Sequence, residues 1–150
     1  MKPGLRVGLE HELRYRVPAA KTVPALYPES AEFRQMPAVF ATGFLVGLLE
    51  WACMRAVNPF LDRPRQLTLG TRIAVTHCAP TPAGLEVLAR ARLTEVDGRR
   101  LTFDVQAHDG VEIISRGTHE RFIVERVSFG DKVARKARQT EAPPDWSRFE

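Results

Sequence analysis

The chain has 150 residues, a formal net charge of +4, and 44% hydrophobic and 27% charged residues. That balance excludes a disordered or fibrous protein and supplies apolar side chains for one core rather than two. The longest apolar run, Phe40 to Met54, is broken by Thr42 and Glu50 and falls short of the roughly 20 residues that span a bilayer, so no membrane segment is expected. The opening residues lack the apolar stretch and cleavage site of an export signal, and a cytoplasmic protein is expected. The basic balance suits either nucleic acid or a phosphate-bearing small molecule, and charge alone does not choose between them. Cys53 and Cys78 have no Cys-x-x-Cys partner spacing and read as structural thiols.

From Val7 to Val17 apolar residues and His11 hold the odd positions, while Gly8, Glu10, Glu12, Arg14 and Arg16 hold the even ones. This period of two predicts a strand with one buried and one solvated face. Pro18, Pro24, Pro28 and Pro37 then punctuate a stretch containing Leu26, Tyr27 and Phe33, which predicts a long covering loop or lid. Ala38 to Val57 has no internal proline and stops at Asn58-Pro59, predicting a long helix. It is apolar on every side and should lie at the centre, wrapped by other structure, with Gly43 and Gly47 at close backbone approaches.

Four further strands follow. Leu67, Leu69, Ile73, Val75 and His77 share one parity. Leu85, Val87, Ala89, Ala91 and Leu93 lead to the turn Asp97-Gly98; Leu101, Phe103, Val105 and Ala107 lead to Asp109-Gly110; residues 111 to 125 complete the set. A curved antiparallel sheet wrapped around one helix buries such a helix economically, giving an α+β hot-dog architecture with a lid between first strand and helix. One sheet alone leaves edges exposed, so a homodimer is expected. The domain should cover residues 1–137, with a short basic surface helix over Lys132–Arg138 and a flexible tail over 138–150.

Glu50 is the residue most out of place, a carboxylate within Gly47-Leu48-Leu49-Glu50-Trp51-Ala52. It either pairs with an arginine such as Arg55 or Arg121, or lines a cleft. His77 shares the inward parity of Ile73 and Val75, and is either a core histidine bonded to a carbonyl or a general acid/base. His11, His108 and His119 show no comparable combination and read as structural. Thr42 near the helix start reads first as a cap; in an unbroken helix it lies about 12 Å along the axis from Glu50. Gly70 either marks a β-bulge or lets a backbone N–H approach a substrate oxygen. No serine-hydrolase elbow, Walker loop, dinucleotide fingerprint or His-Glu-x-x-His pair occurs.

Several blocks closely resemble the fluoroacetyl-CoA thioesterases: Lys21-Thr22-Val23, Leu26-Tyr27-Pro28-Glu29-Ser30, Val39 to Cys53, Val75-Thr76-His77, Ala107-His108-Asp109-Gly110-Val111 and Gly117-Thr118-His119-Glu120-Arg121. The resemblance implies a homodimeric hot-dog enzyme that hydrolyses a short acyl-CoA. It implies no metal or organic cofactor, coenzyme A being part of the substrate, and no nucleic-acid partner. It also implies a catalytic set at Thr42, Glu50 and His77, with the Gly70 backbone near the thioester oxygen and Arg121 near the site. In the fluoroacetyl case fluorine acidifies the α-hydrogen, a proton His77 is placed to remove. The resemblance departs in the lid, where Met36 stands in place of a phenylalanine, which bears on the choice of acyl group. A hydratase of the same fold, or an acyl-CoA-binding protein without catalysis, are the competing readings.

Overall fold

The computed structural model describes residues 1–139 and 143–149. Five strands form one antiparallel sheet: β1 (Glu10–Arg16), β2 (Gln66–Val75), β3 (Glu86–Asp97), β4 (Arg100–His108) and β5 (Ile113–Glu125). Their spatial order is β1-β3-β4-β5-β2, so β1 and β2 are the edges. Among the described residues three α-helices accompany them: α1 (Ala31–Arg34), α2 (Thr42–Val57) and α3 (Arg126–Arg138). The α+β class, the strand count and the lid-then-helix order are as the sequence predicts. The tail expected over 138–150 lies partly outside the described residues.

The core lies between α2 and one face of the sheet. Leu45, Leu49, Ala52, Cys53 and Val57 of α2 are fully buried, as are Val87, Ala89, Ala91 and Leu93 of β3 and Leu101, Phe103 and Ala107 of β4. These strand residues are the alternating sets read from sequence. The other face carries charge: across β1 and β3, Glu12 pairs with Arg90 at 2.6 Å and Arg14 with Glu86 at 3.0 Å. Both pairs are exposed and add little stability.

Two expectations need correction. First, α2 is not wrapped on all sides: Thr42, Gly43, Gly47, Trp51 and Arg55 are exposed. Within the chain the sheet covers one face only, and Gly47 has nothing near enough to explain its missing side chain. Second, the alternation in β2 does not hold through its length. The register with β5 shifts between Gly70 and Arg72, so Gln66 and Thr68 are buried before the bulge rather than Leu67 and Leu69. One extra residue inverts the phase. Boundaries differ too: the first strand is shorter than 7–17, α2 starts four residues after Ala38, and the C-terminal helix begins at Arg126. Residues 39–41 are extended because they tie the lid to the body. Val23 N–H donates to the Val39 carbonyl at 2.9 Å, Phe40 N–H to Thr81 at 2.7 Å, and Ala41 N–H to Lys21 at 3.0 Å.

The β4–β5 connection is organised by Asp109, which is 4% exposed. Its Oδ2 accepts from the Thr81 hydroxyl at 2.9 Å, and its Oδ1 accepts from the N–H groups of Val111 and Glu112 at 3.0 Å each. Gly110 follows with φ +88°, a left-handed conformation that suits glycine. Burial pushes the Asp109 carboxyl up, but the Glu112 and Val111 amides and the Thr81 hydroxyl outweigh it and hold the group below its ordinary value. A depressed carboxyl contributes stability above its unfolded pKa and loses it as pH falls through the folded one. Asp109→Ala is therefore expected to destabilise the fold by about 2 to 3 kcal/mol at pH 7. Urea melts should show that difference shrinking below about pH 4.

Candidate active site

Glu50 sits midway along α2 on the side facing β2 and β5, with its side chain 38% exposed. Arg121 of β5 is its partner: Nη1 donates to Oε1 at 3.3 Å. Arg55, the other candidate, is exposed and lies over the Trp51 ring at 5.6 Å. Arg121 is 3% exposed, and its planar fork is held on several sides. Nε donates to Thr68 Oγ1 at 2.9 Å, Nη2 to the Thr68 carbonyl at 2.8 Å, and Nη1 also to His119 Nε2 at 3.1 Å. A guanidinium only donates. His119 Nε2 must therefore be the unprotonated nitrogen, and Nδ1 carries the hydrogen given to the Arg72 carbonyl at 2.7 Å. Burial, and then Arg121, push the His119 pKa down against the Arg72 backbone and Glu50. The ring is neutral, so its 3.8 Å approach to Glu50 Oε1 is not an ion pair.

Gly70 completes this cluster. The bulge and the close approach, which the sequence leaves as alternatives, occur together: the register shift follows Gly70, and a Cβ there would collide with Glu50 Oε1 and crowd His119 Cε1. A cavity of about 260 Å³ opens beside Glu50, Gly70, Thr71, Ile73 and His119.

Thr42 and His77 form a second cluster. Thr42 does not cap α2; Ala41 is the N-cap and offers no side-chain bond. The Thr42 hydroxyl instead meets His77 Nδ1 at 2.7 Å. His77 is half-buried and lines a small cavity with Val39, Cys78, Ala79 and Pro80. Burial lowers its pKa, with the Ala79 backbone acting in the opposite sense, which favours the neutral ring that a base requires. Among the described residues its buried Nε2 has no hydrogen-bond partner.

Within one chain, then, Thr42 and His77 meet, and Glu50, Gly70 and Arg121 meet, while the helix holds the two groups about 12 Å apart along its axis. Met36, at the end of the turn after α1, is 51% exposed and touches neither group's cavity. His119 is the member that sequence reasoning misses. The available signal is its i, i+2 spacing from Arg121 on one strand, which puts both on the face that meets the helix. Cys53, one turn after Glu50, is fully buried, and burial pushes its thiol up to about 12, so it is structural as expected.

An antiparallel sheet packed on one long helix, with titratable groups in the seam between helix and edge strand, defines the hot-dog fold. A solved thioesterase-superfamily member from Thermus thermophilus shares the fold at 24% identity and a TM-score of 0.82, over 94% of this chain and 98% of that one. The model of the fluoroacetyl-CoA-specific thioesterases matches residues 25–127. The fluoroacetyl-CoA thioesterase of Streptantibioticus cattleyicolor is 54% identical over 136 residues, 91% of this chain and 97% of that protein. A solved variant of a fluoroacetyl-CoA-specific thioesterase in complex with fluoroacetate and CoA is 54% identical, covering 83% of this chain and 99% of that one, with a TM-score of 0.81. This chain belongs to the fluoroacetyl-CoA-specific thioesterase family.

Because Gly70 leaves the space that Glu50 occupies, Gly70→Ala should displace the carboxylate while leaving the sheet paired. If the Glu50 carboxylate takes part in the reaction, thioesterase turnover is expected to fall on the order of 100-fold, the scale of a roughly 1 Å misplacement in a reacting site. The melting temperature, read by circular dichroism, should shift by no more than a few degrees.

Proposed function

We propose that the protein hydrolyses a short acyl-CoA, with fluoroacetyl-CoA as its substrate, to the free acid and CoA. The observation that carries the reading is the 2.7 Å contact between the Thr42 hydroxyl and a half-buried His77 whose pKa burial lowers, on a chain whose relative at 54% identity is a fluoroacetyl-CoA thioesterase. Glu50 either deprotonates a water that attacks the thioester carbon, or attacks that carbon itself to form an anhydride that water then cleaves. In both routes the C–S bond breaks, the water's oxygen ends in the free acid, and its proton is relayed through Thr42 and His77 to the departing CoA thiolate. The Gly70 backbone lies beside the oxygen that gains negative charge; the bulge leaves its neighbour Thr71 unmatched in register with β5. Arg121 fixes Glu50, and Met36, outside both cavities within one chain, belongs to the lid that we expect to close over the acyl group. The reaction as proposed calls on no metal or organic cofactor and takes place in the cytoplasm.

The working form is a homodimer. Three features support it: β2 is an open edge, Ile73 on it is 39% exposed, and the uncovered face of α2 carries Gly43, Gly47 and the 42%-exposed Trp51. Glycines there allow a second helix to approach closely. Antiparallel pairing of two β2 edges about a two-fold axis brings Glu50 of one chain toward the Thr42–His77 pair of the other, closing the separation that one chain leaves.

Thiol release from fluoroacetyl-CoA, acetyl-CoA and longer acyl-CoAs tests the activity. Glu50→Gln and His77→Ala should each lower turnover at least about tenfold, and wild-type rates in either folded variant would sink the catalytic assignment. Release from longer acyl groups but not from fluoroacetyl-CoA would reassign the substrate. Refolding the two variants together tests the shared site. If each site draws on both chains, about a quarter of wild-type activity returns, since half the dimers are mixed and one of their two sites is intact. No recovery from a demonstrated mixed dimer places the site within one chain.

A further inference from the structure

Pairing with β5 continues past the end of β2. Thr76 N–H donates to the Arg116 carbonyl and Cys78 N–H to the Ile114 carbonyl, both at 2.9 Å. These bonds extend the Val75–Gly117 register and set His77 directly opposite Ser115. Since the flanking residues carry the bonds, 77 and 115 form a non-hydrogen-bonded pair. Side chains in such a pair share a face and stand close, with Cβ atoms about 4.5 to 5.5 Å apart. Ser115 is 0% exposed. Among the described residues, the buried side-chain polar atoms without a hydrogen-bond partner are Ser115 Oγ and His77 Nε2. Two unsatisfied atoms on opposed residues of one face call for a single explanation.

We propose that Ser115 is a positioning residue for His77. Its oxygen accepts the Nε2–H of the ring, by a turn about χ1 or through one intervening water, and so holds the tautomer whose Nδ1 lone pair faces Thr42. The inference rests on the reading of Thr42 and His77 as catalytic. With Nε2 carrying the hydrogen, Nδ1 accepts from the Thr42 hydroxyl at 2.7 Å. The three residues form a relay of hydroxyl, base and orienting acceptor. When His77 takes a proton at Nδ1 the imidazolium keeps its bond to Ser115, and no proton passes to the serine. The Ala79 backbone, which also favours the protonated ring, acts in the same sense.

The test compares wild type, Ser115→Ala and Ser115→Thr in thiol release from fluoroacetyl-CoA and acetyl-CoA, alongside ¹⁵N spectra of histidine-labelled protein. His77→Ala assigns the His77 resonances. In Ser115→Ala, kcat is expected to fall about five- to twentyfold with KM within about twofold, because the ring now samples the wrong tautomer. Its ¹⁵N shifts should move from the Nε2–H form toward a mixture, and Ser115→Thr should restore both rate and shifts. In a His77→Ala background Ser115→Ala should cost nothing further. A Ser115→Ala enzyme with wild-type kcat and an unchanged tautomer overturns the proposal. So does an undiminished loss in the His77→Ala background, or a wild-type His77 in the Nδ1–H form, which requires no Ser115 variant to fold. Failure of the parent reading shows differently, as full turnover in His77→Ala.

Discussion

A guanidinium buried between two strands and a helix is the constraint around which this site is arranged. Arg121 cannot shed its charge, and burial of an unpaired cation is among the costliest things a fold can do. Each bond it makes therefore constrains something else. Thr68 must face inward on β2, His119 must present an unprotonated nitrogen, and Glu50 must point down from α2 rather than into water. Once those are set, Gly70 has no room for a side chain. The bulge that follows it then sets the phase of the rest of β2 and of His77 just beyond its end, so that they share this face. The two clusters along the seam are thus parts of one arrangement, even though no side chain of one touches the other within the chain.

Much of this was legible in the sequence, and the reasons for the remainder are specific. Strands β3 and β4 were readable because their alternation is unbroken and each ends at an Asp-Gly turn. The phase of β2 is only partly legible because a bulge leaves no compositional mark beyond a glycine, and parity counted from Leu67 runs through it as though it were absent. Helix α2 looked apolar on every side, and it is; what sequence could not supply is that one chain's sheet covers only one side of it. Thr42 reads as a cap because capping is what a threonine at a helix start ordinarily does, and only the path of the chain after β2 brings an imidazole to it instead.

His119 illustrates a different limit. Taken singly, a histidine on a strand has many structural explanations, and nothing in its neighbours requires another. Its place becomes defined only when Arg121 is known to be buried, because the arginine's donors then dictate which ring nitrogen holds the hydrogen. The carbonyl it bonds belongs to Arg72, just past the bulge. The histidine thereby ties the edge strand to the carboxylate's support. Burial of a charge is a property of the assembled fold and leaves little trace in local sequence.

The position of Met36 has a consequence for how such a protein diversifies. The residue lies on a half-open turn, tied to its own segment by a backbone bond to Phe33 and 51% exposed, whereas Thr42 and Glu50 stand on α2 and His77 directly follows β2. Exchanging a side chain there disturbs neither the packed core nor the buried cation. On the proposed reading, selectivity can change by single substitutions at this turn while Thr42, Glu50 and His77 stay fixed by the packing of the elements that carry them, so proteins on this scaffold can part company over the acyl group before they differ in chemistry.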